Sequence, residues 1–231
     1  ESADTIINID HHIPDRPFGS IQLVDSRAAA TTEILWEVIR LLSVSTDRAL
    51  VSSEVADCLM TGIITDTGSF RFLNVRPQSF RLAARLQQLG AQPAAISELV
   101  FDTRSLQSIK LLGRALDSVQ VNGEGTVAWA HVTRDDFLEL GATDGETEGI
   151  VSHVRAIRGV AIGALLREIP GHKIRISLRA RDGADVNRVA AVFGGGGHRL
   201  AAGCSIDAPL AEAECLVVQE AERQLHGDLP G

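Results

Sequence analysis

Apolar positions along the chain follow two different periods, and the change from one to the other divides it. Residues 5–10 (TIINID) are β-branched and apolar and lead straight into two histidines. This run reads as a buried strand whose C-terminal end delivers polar groups. In residues 31–42, Ile34, Leu35, Val38, Ile39 and Leu42 recur at helical spacing. Residues 53–64 repeat the pattern with Val55, Leu59 and Ile63 and run into Thr65-Asp66-Thr67-Gly68. Two more helices are expected over 79–89, closed by Gly90, and over 93–101, where Pro93 suits a first helical turn. A strand followed by helices predicts an α/β layer on a parallel sheet.

Residues 103–116 read as a helix connecting two domains rather than as a loose linker. Beyond it the period falls to two. Residues 126–132 (TVAWAHV) and 173–179 (KIRISLR) alternate as half-buried strands do. In the second, Ile174, Ile176 and Leu178 point one way, while Lys173, Arg175, Ser177 and Arg179 point the other. Thr133 and Asp136 are placed to cap a short helix that stops at Gly141. Residues 185–193 read as helix running into a glycine tract, and 210–225 as an amphipathic helix. The expected division is therefore 1–103 as a parallel-sheet α/β domain, 104–116 as a connecting helix, and 117–231 as a smaller α/β domain with a mixed sheet.

Composition narrows the function classes. With 231 residues the chain is long enough for two modest domains without disulfides. Cys58, Cys204 and Cys215 are scattered and form no CxxC pair, which predicts reduced thiols in a cytoplasmic protein. No apolar run approaches the roughly 20 residues needed to span a bilayer, so no membrane partner is expected. The formal net charge is −8, unlike proteins that track long nucleic acid by phosphate contacts. A short nucleotide held by a local arginine cluster remains compatible with that charge. The first residue is Glu1 and the sole methionine is Met60, so the sequence is expected to start inside a longer polypeptide or after processing.

Three segments carry candidate chemistry. Asp10-His11-His12 ends the first strand, where ligands collect in open α/β sheets. Neutral imidazole ligates transition metals, with its other nitrogen oriented by a carboxylate; taken alone, the pair reads equally well as surface histidines. Gly62 to Phe70 (GIITDTGSF) places the Asp66 carboxylate at a helix end. By itself this segment reads more readily as an ordinary helix terminus. Phe193 is followed by four glycines and then His198-Arg199-Leu200-Ala201-Ala202-Gly203. Such a tract loses backbone entropy without adding core contacts, and close approach to an anion explains it better than a flexible loop. A phosphate held there would also meet Arg179 across the sheet.

Together and in this order, IDHH, GIITDTGSF with Arg71-Phe72, Thr147-Glu148-Gly149, the SLR ending in Arg179, and FGGGGHRLAAG resemble the DHH phosphoesterase superfamily with its DHH-associated C-terminal domain. Within it they resemble the NrnA-like nano-RNase and pAp phosphatase group. The resemblance implies that His11 and Asp66 ligate one of two divalent cations, Mn2+ with Mg2+ as the alternative. It implies that Asp10 orients His11 or lines the metal site, and that His12 sits beside the scissile phosphate. Arg179, Gly195, Gly196, Gly197 and His198 would hold the substrate's terminal phosphate, with Ser177 and Arg104 as further contacts chosen from position and polarity.

The implied activity is hydrolysis of short oligoribonucleotides, pGpG or pApA among them, or of pAp, to mononucleotides. Two cations about 3.5–4 Å apart would activate a water, and the second domain would act as a ruler for substrate length. The resemblance also implies an upstream His-x-x-x-Asp-x-Asp motif and a bridging aspartate that these residues do not include. The parent protein is thus expected to be an enzyme, while the competence of this chain alone is open. A cyclic-dinucleotide phosphodiesterase and a catalytically inactive nucleotide-binding module are the competing readings; a RecJ-type exonuclease fits the acidic charge poorly. An exposed sheet, or the helix from Thr31, is a candidate homodimer surface.

Overall fold

The computed structural model describes residues 3–12, 18–169 and 173–227. It divides into two units, Glu1–Thr103 and Arg104–Gly231.

In the first unit, strand β1 (Ile7–Asp10) pairs in parallel with β2 (Ile21–Val24), Asp10 lying opposite Val24. The strand expected over 5–10 was predicted to be buried, and it is not. Ile7 and Ile21 are more than half exposed, and within β1 only Asn8 is buried. Propensity placed the strand correctly; burial depends on what covers it. Helix α1 (Thr31–Thr46) starts beside the buried Ala28, Ala29 and Ala30 and ends at Asp47 in the left-handed region. Helix α2 (Ser53–Asp66) begins where the Ser52 hydroxyl accepts from the Val55 N–H. Gly62 lets α1 approach, since a Cβ there would run into Thr32. Helix α3 (Pro77–Gln88) has proline in its first turn, as does α4 (Pro93–Ser97). The latter continues as a π-helical turn over Glu98–Asp102, inside the single helix expected for 93–101.

The core of this unit is Leu59, Met60, Ile63 and Ile64 of α2 against Leu82 and Leu86 of α3 and Ile96 of α4. One charge lies inside it. The buried Glu33 carboxylate accepts from Arg76 Nη2 at 2.7 Å, Ser79 Oγ at 2.6 Å and the Ala29 N–H at 3.0 Å. Hydrogen bonds at both oxygens satisfy the group, as a buried carboxylate requires. They also tie the start of α3 to the start of α1, which fixes the segment carrying Ala28 and Ala29.

The second unit opens with α5 (Leu106–Asp117), capped by Ser105. Leu111 and Ala115 of this helix lie in the unit's own core, so α5 belongs to the second unit rather than standing between two domains. Then come β3 (Gln120–Val121), β4 (Val127–Val132), α6 (Arg134–Leu140), a 3-10 turn (Asp144–Thr147), α7 (Ile150–Ala156) and β5 (Ile162–Arg167). The chain finishes with β6 (Ile174–Ala180), α8 (Val186–Val192), β7 (Gly196–His198), β8 (Ala201–Ile206) and α9 (Leu210–His226). Thr133 and Asp136 make the expected reciprocal cap, and Gly141 ends α6 at φ 58°.

The sheet order is β3-β4-β5-β6-β8-β7, with β4 and β5 parallel and the other pairs antiparallel. It is a mixed sheet, as expected. Ile174, Ile176 and Leu178 face α8 and α9. On the opposite face, α5, α6 and α7 pack over β4 and Leu165 of β5. That second helical layer stops short: Arg175 and Ser205 remain exposed and Ser177, Arg179 and Gly203 half-buried. The polar face of β6 and β8 is thereby left open.

No helix among the described residues is long and apolar enough to cross a membrane. Cys204 is buried on β8, and burial pushes its thiol pKa up to about 11, whereas Cys58 and Cys215 are exposed. A thiol stays protonated and unreactive well below its pKa. Titration of the native protein with a thiol reagent at pH 8 should therefore count two fast thiols, and the denatured protein three.

Candidate active site

The first unit brings Asp10, His11, His12 and Asp66 together. The ligand atoms of Asp10, His11 and His12 lie within 4.8 Å of one another. His11 Nδ1 lies 3.3 Å from the Ala28 carbonyl oxygen, and its Nε2 lies 3.5 Å from Asp66 Oδ2. A carbonyl only accepts, so this contact puts a ring proton on Nδ1 and turns Nε2 toward Asp66. Nε2 is thereby the nitrogen that would meet a cation held by Asp66.

Asp10 acts on His12 rather than on the His11 ring. Its Oδ1 accepts from the backbone N–H groups of His11 at 2.7 Å and His12 at 3.0 Å, and lies 2.8 Å from His12 Nδ1. The roles expected for Asp10 are orienting His11 or lining the metal site; its ring contact is to His12, while its carboxylate lies within the His11–His12 cluster, and the turn after β1 carries the His11 ring toward Ala28. The His12 backbone N–H, and after it the His12 ring, hold the Asp10 carboxyl below its ordinary pKa. Asp10 therefore stays ionised throughout the neutral range.

Asp66 is delivered by the end of α2, where the chain reverses sharply. Gly68, Ser69 and Phe70 have φ of 55°, 57° and 62°. Two consecutive non-glycine residues in the left-handed region are uncommon and strained, and such strain gathers at functional sites. Three contacts hold the turn. Thr67 Oγ1 accepts from the Phe70 N–H at 3.0 Å, Arg71 Nε donates to the Gly68 carbonyl at 2.6 Å, and the Phe70 ring stacks on Phe80 with centroids 5.0 Å apart. Asn74 Nδ2 donates to both the Asp66 carbonyl at 3.0 Å and the Ala29 carbonyl at 2.9 Å, linking the two sides of the site. Asn74 lay outside the sequence reading, and only its place after the GIITDTGSF segment pointed to it.

In the second unit, the strand register sets Arg179 beside Ala201 and Ala201 beside His198, so Arg179 and His198 share one face of the sheet. Ser177, Gly203 and Gly196 form the next row on that face. Burial is the first cause lowering the Arg179 pKa, with Arg155 adding repulsion and Glu148 opposing it. The guanidinium remains charged. Its Nη1 donates to the Leu178 carbonyl, and among the described residues no carboxylate makes an ion pair with it. A half-buried cation without a paired anion is suited to a phosphate. Arg104 reaches the same region, its Nη1 donating to the Glu148 carbonyl at 3.2 Å. The Ser177 hydroxyl oxygen accepts from Arg167 Nη2 at 2.9 Å, leaving its proton to donate outward.

The glycine tract, expected to approach an anion closely, is in part a strand rather than a flexible loop. Gly196, Gly197 and His198 form the edge strand β7. Gly194 turns the chain out of α8 at φ 72°, a Cβ on Gly195 would collide with the Gly203 carbonyl, and one on Gly197 would lie 2.6 Å from the Ala201 carbonyl. The fold itself accounts for those three. Gly196 differs: its φ is not positive and a Cβ would find nothing nearer than Asn187 Oδ1 at 3.8 Å. Neither conformation nor packing requires glycine there.

Comparison with known proteins places this geometry in a family. Residues 125–227 match the DHHA1 domain. The chain is 33% identical over 201 residues to the bifunctional oligoribonuclease and PAP phosphatase NrnA of Thermus thermophilus, covering 87% of the chain and 58% of the relative. It is 27% identical over 221 residues to the protein of the same name from Bacillus subtilis, covering 93% of the chain and 69% of the relative. A crystal structure of an exopolyphosphatase-related protein from Bacteroides fragilis superposes with a TM-score of 0.86 at 29% identity, covering 94% of the chain and 63% of that protein. The chain thus belongs to the DHH superfamily and carries its DHHA1 domain. Within the superfamily it is NrnA-like, and it spans about three fifths of the length of the Thermus relative.

Proposed function

We propose that the chain is the part of a divalent-cation phosphoesterase that acts on short oligoribonucleotides and on pAp, releasing mononucleotides. The observation that carries this reading is the placement of the His11 ring, with Nδ1 3.3 Å from the Ala28 carbonyl oxygen and Nε2 3.5 Å from Asp66 Oδ2. The donors match the preference of manganese for imidazole and carboxylate, with magnesium as the alternative. His11 and Asp66 would hold one cation of a pair. Bound there, the cations would supply an activated water and neutralise charge developing on the phosphate.

The chain's own residues then divide the work. Asp10 fixes the His12 ring through Nδ1 at 2.8 Å. His12 would donate the Nε2 proton to the departing oxygen as the P–O bond breaks and the water oxygen joins phosphorus. Arg179, His198, Ser177 and the bare backbone at Gly196 would hold the substrate's remaining phosphate, with Arg104, Gly195 and Gly197 shaping that end. The relatives' names, oligoribonuclease and PAP phosphatase, support the substrate class.

The test is incubation of an RNA dinucleotide and of pAp with the chain and manganese, with products resolved by chromatography. Mononucleotides from the first, AMP and phosphate from the second, and loss of both with chelator are the expected results. Binding of both nucleotides without any turnover would replace this reading with that of a nucleotide-binding module.

A further inference from the structure

The open face of β6 and β8 continues past Ser177 to a second set of charged groups. Arg167 stands opposite Arg175, and Arg175 opposite Ser205, forming a row parallel to that of Arg179 and His198. Between the two rows lie Ser177, Gly203 and Gly196, a floor almost free of side chains. A trough of about 520 Å³ lies along the Arg167 row, lined by Arg167, Lys173, Arg175, Ser177, Gly203 and Ser205 and reaching Gly195. That volume falls within the range of small-ligand sites.

The row is built rather than incidental. The Asp144 carboxylate bridges both arginines, accepting from Arg167 Nη1 at 2.6 Å and Arg175 Nη1 at 2.7 Å. Arg167 also donates to Ser177 and Thr147, yet its Nε is buried with no acceptor. Arg175 is half exposed, and Asp144 is its only acceptor among the described residues, so most of its donors face the trough. A carboxylate held between two guanidinium groups occupies the place that two phosphate oxygens take in a charge-assisted contact. Lys173 adds a third cation at the rim, loosely opposed by Asp207 at 3.4 Å. On a chain of net charge −8 this is a local concentration of positive charge.

The geometry points to a second phosphate subsite, formed by Arg167, Arg175 and Ser205, for the outermost phosphate of single-stranded oligonucleotides longer than a dinucleotide. The inference rests on the proposed phosphate contact at Arg179 and His198 and extends it along β6. Arg175 and Arg179 are four residues apart on one face of a strand, hence separated by about 13 Å. That is on the order of two nucleotide steps of an extended chain. Asp144 acts as an internal competitor, partly neutralising the row until a phosphate displaces it.

Calorimetric titration of pA, pApA and pApApApA into the chain, with chelator present to prevent hydrolysis, tests this. The expected gain in affinity from pApA to pApApApA is lost in Arg175→Gln by roughly tenfold, the size of one charged hydrogen bond. The salt dependence of pApApApA binding should weaken in that variant by about 0.7 in the log–log slope. Asp144→Asn should enlarge the same gain, a direction that misfolding cannot produce. The inference is overturned if Arg175→Gln keeps the gain, if Asp144→Asn lowers it, or if the wild-type chain shows none while Arg179→Ala still weakens every length. In those cases the Arg179 contact survives. Should the wild-type chain bind none of the three, both readings fall.

Discussion

Asp66→Asn is expected to weaken manganese binding more than a hundredfold and to remove phosphoester hydrolysis. Loss of a group that only supports a ligand costs about 10- to 100-fold in metal affinity, and Asp66 is placed to be a ligand, 3.5 Å from His11 Nε2. The substitution keeps the side chain's shape and removes its charge. It should leave the fold intact, because the turn after α2 is held by Thr67, Arg71 and Asn74 through other atoms. Thermal unfolding should accordingly change by no more than about 0.5 kcal/mol, while electron paramagnetic resonance shows free manganese at concentrations that saturate the wild-type chain. Unchanged affinity would remove Asp66 from the cation site.

The second large effect separates two neighbouring glycines. Gly195→Ala is expected to destabilise the second unit by about 1–3 kcal/mol, because the added methyl meets the Gly203 carbonyl and the backbone of Cys204, which must shift. For a domain of this size that corresponds to a fall in melting temperature of about 4 °C per kcal/mol. Gly196→Ala should leave stability within about 0.5 kcal/mol, since its methyl would meet only Asn187 Oδ1 at 3.8 Å, an ordinary contact. Its cost should fall on binding instead: nucleotide affinity is expected to drop roughly tenfold as the methyl holds the phosphate off the backbone. Calorimetric melting together with pAp titration distinguishes the two. If both variants melt alike and bind alike, the glycine tract has no ligand-facing member.

The residues that made the site legible in the sequence are those whose chemistry is local. IDHH and the helix ending at Asp66 each declared a polar group at the end of an apolar element, and the structure brings His11 and Asp66 together. The helices were legible from apolar spacing, and α6 from the Thr133–Asp136 pair and Gly141. What escaped depended on partners distant in sequence. β7 is made of Gly196, Gly197 and His198, which have no strand propensity and become a strand only by pairing with β8. The continuous apolar run of β5 has no period to read, and α7 lies over it where Gly163 leaves room for Arg155. Burial failed as a prediction at β1 for the same reason. The link from Asp144 to Arg167 and Arg175 spans residues 23 and 31 apart, with no local pattern to announce it.

The most direct test of the cation site is paramagnetic mapping. Substoichiometric manganese added to the isotopically labelled chain should broaden backbone resonances of Asp10, His11, His12 and the turn after Asp66 before any others, and Asp66→Asn should restore them. Broadening centred elsewhere, for example on the acidic turn around Asp144 and Glu146, would contradict the placement of the cation between His11 and Asp66.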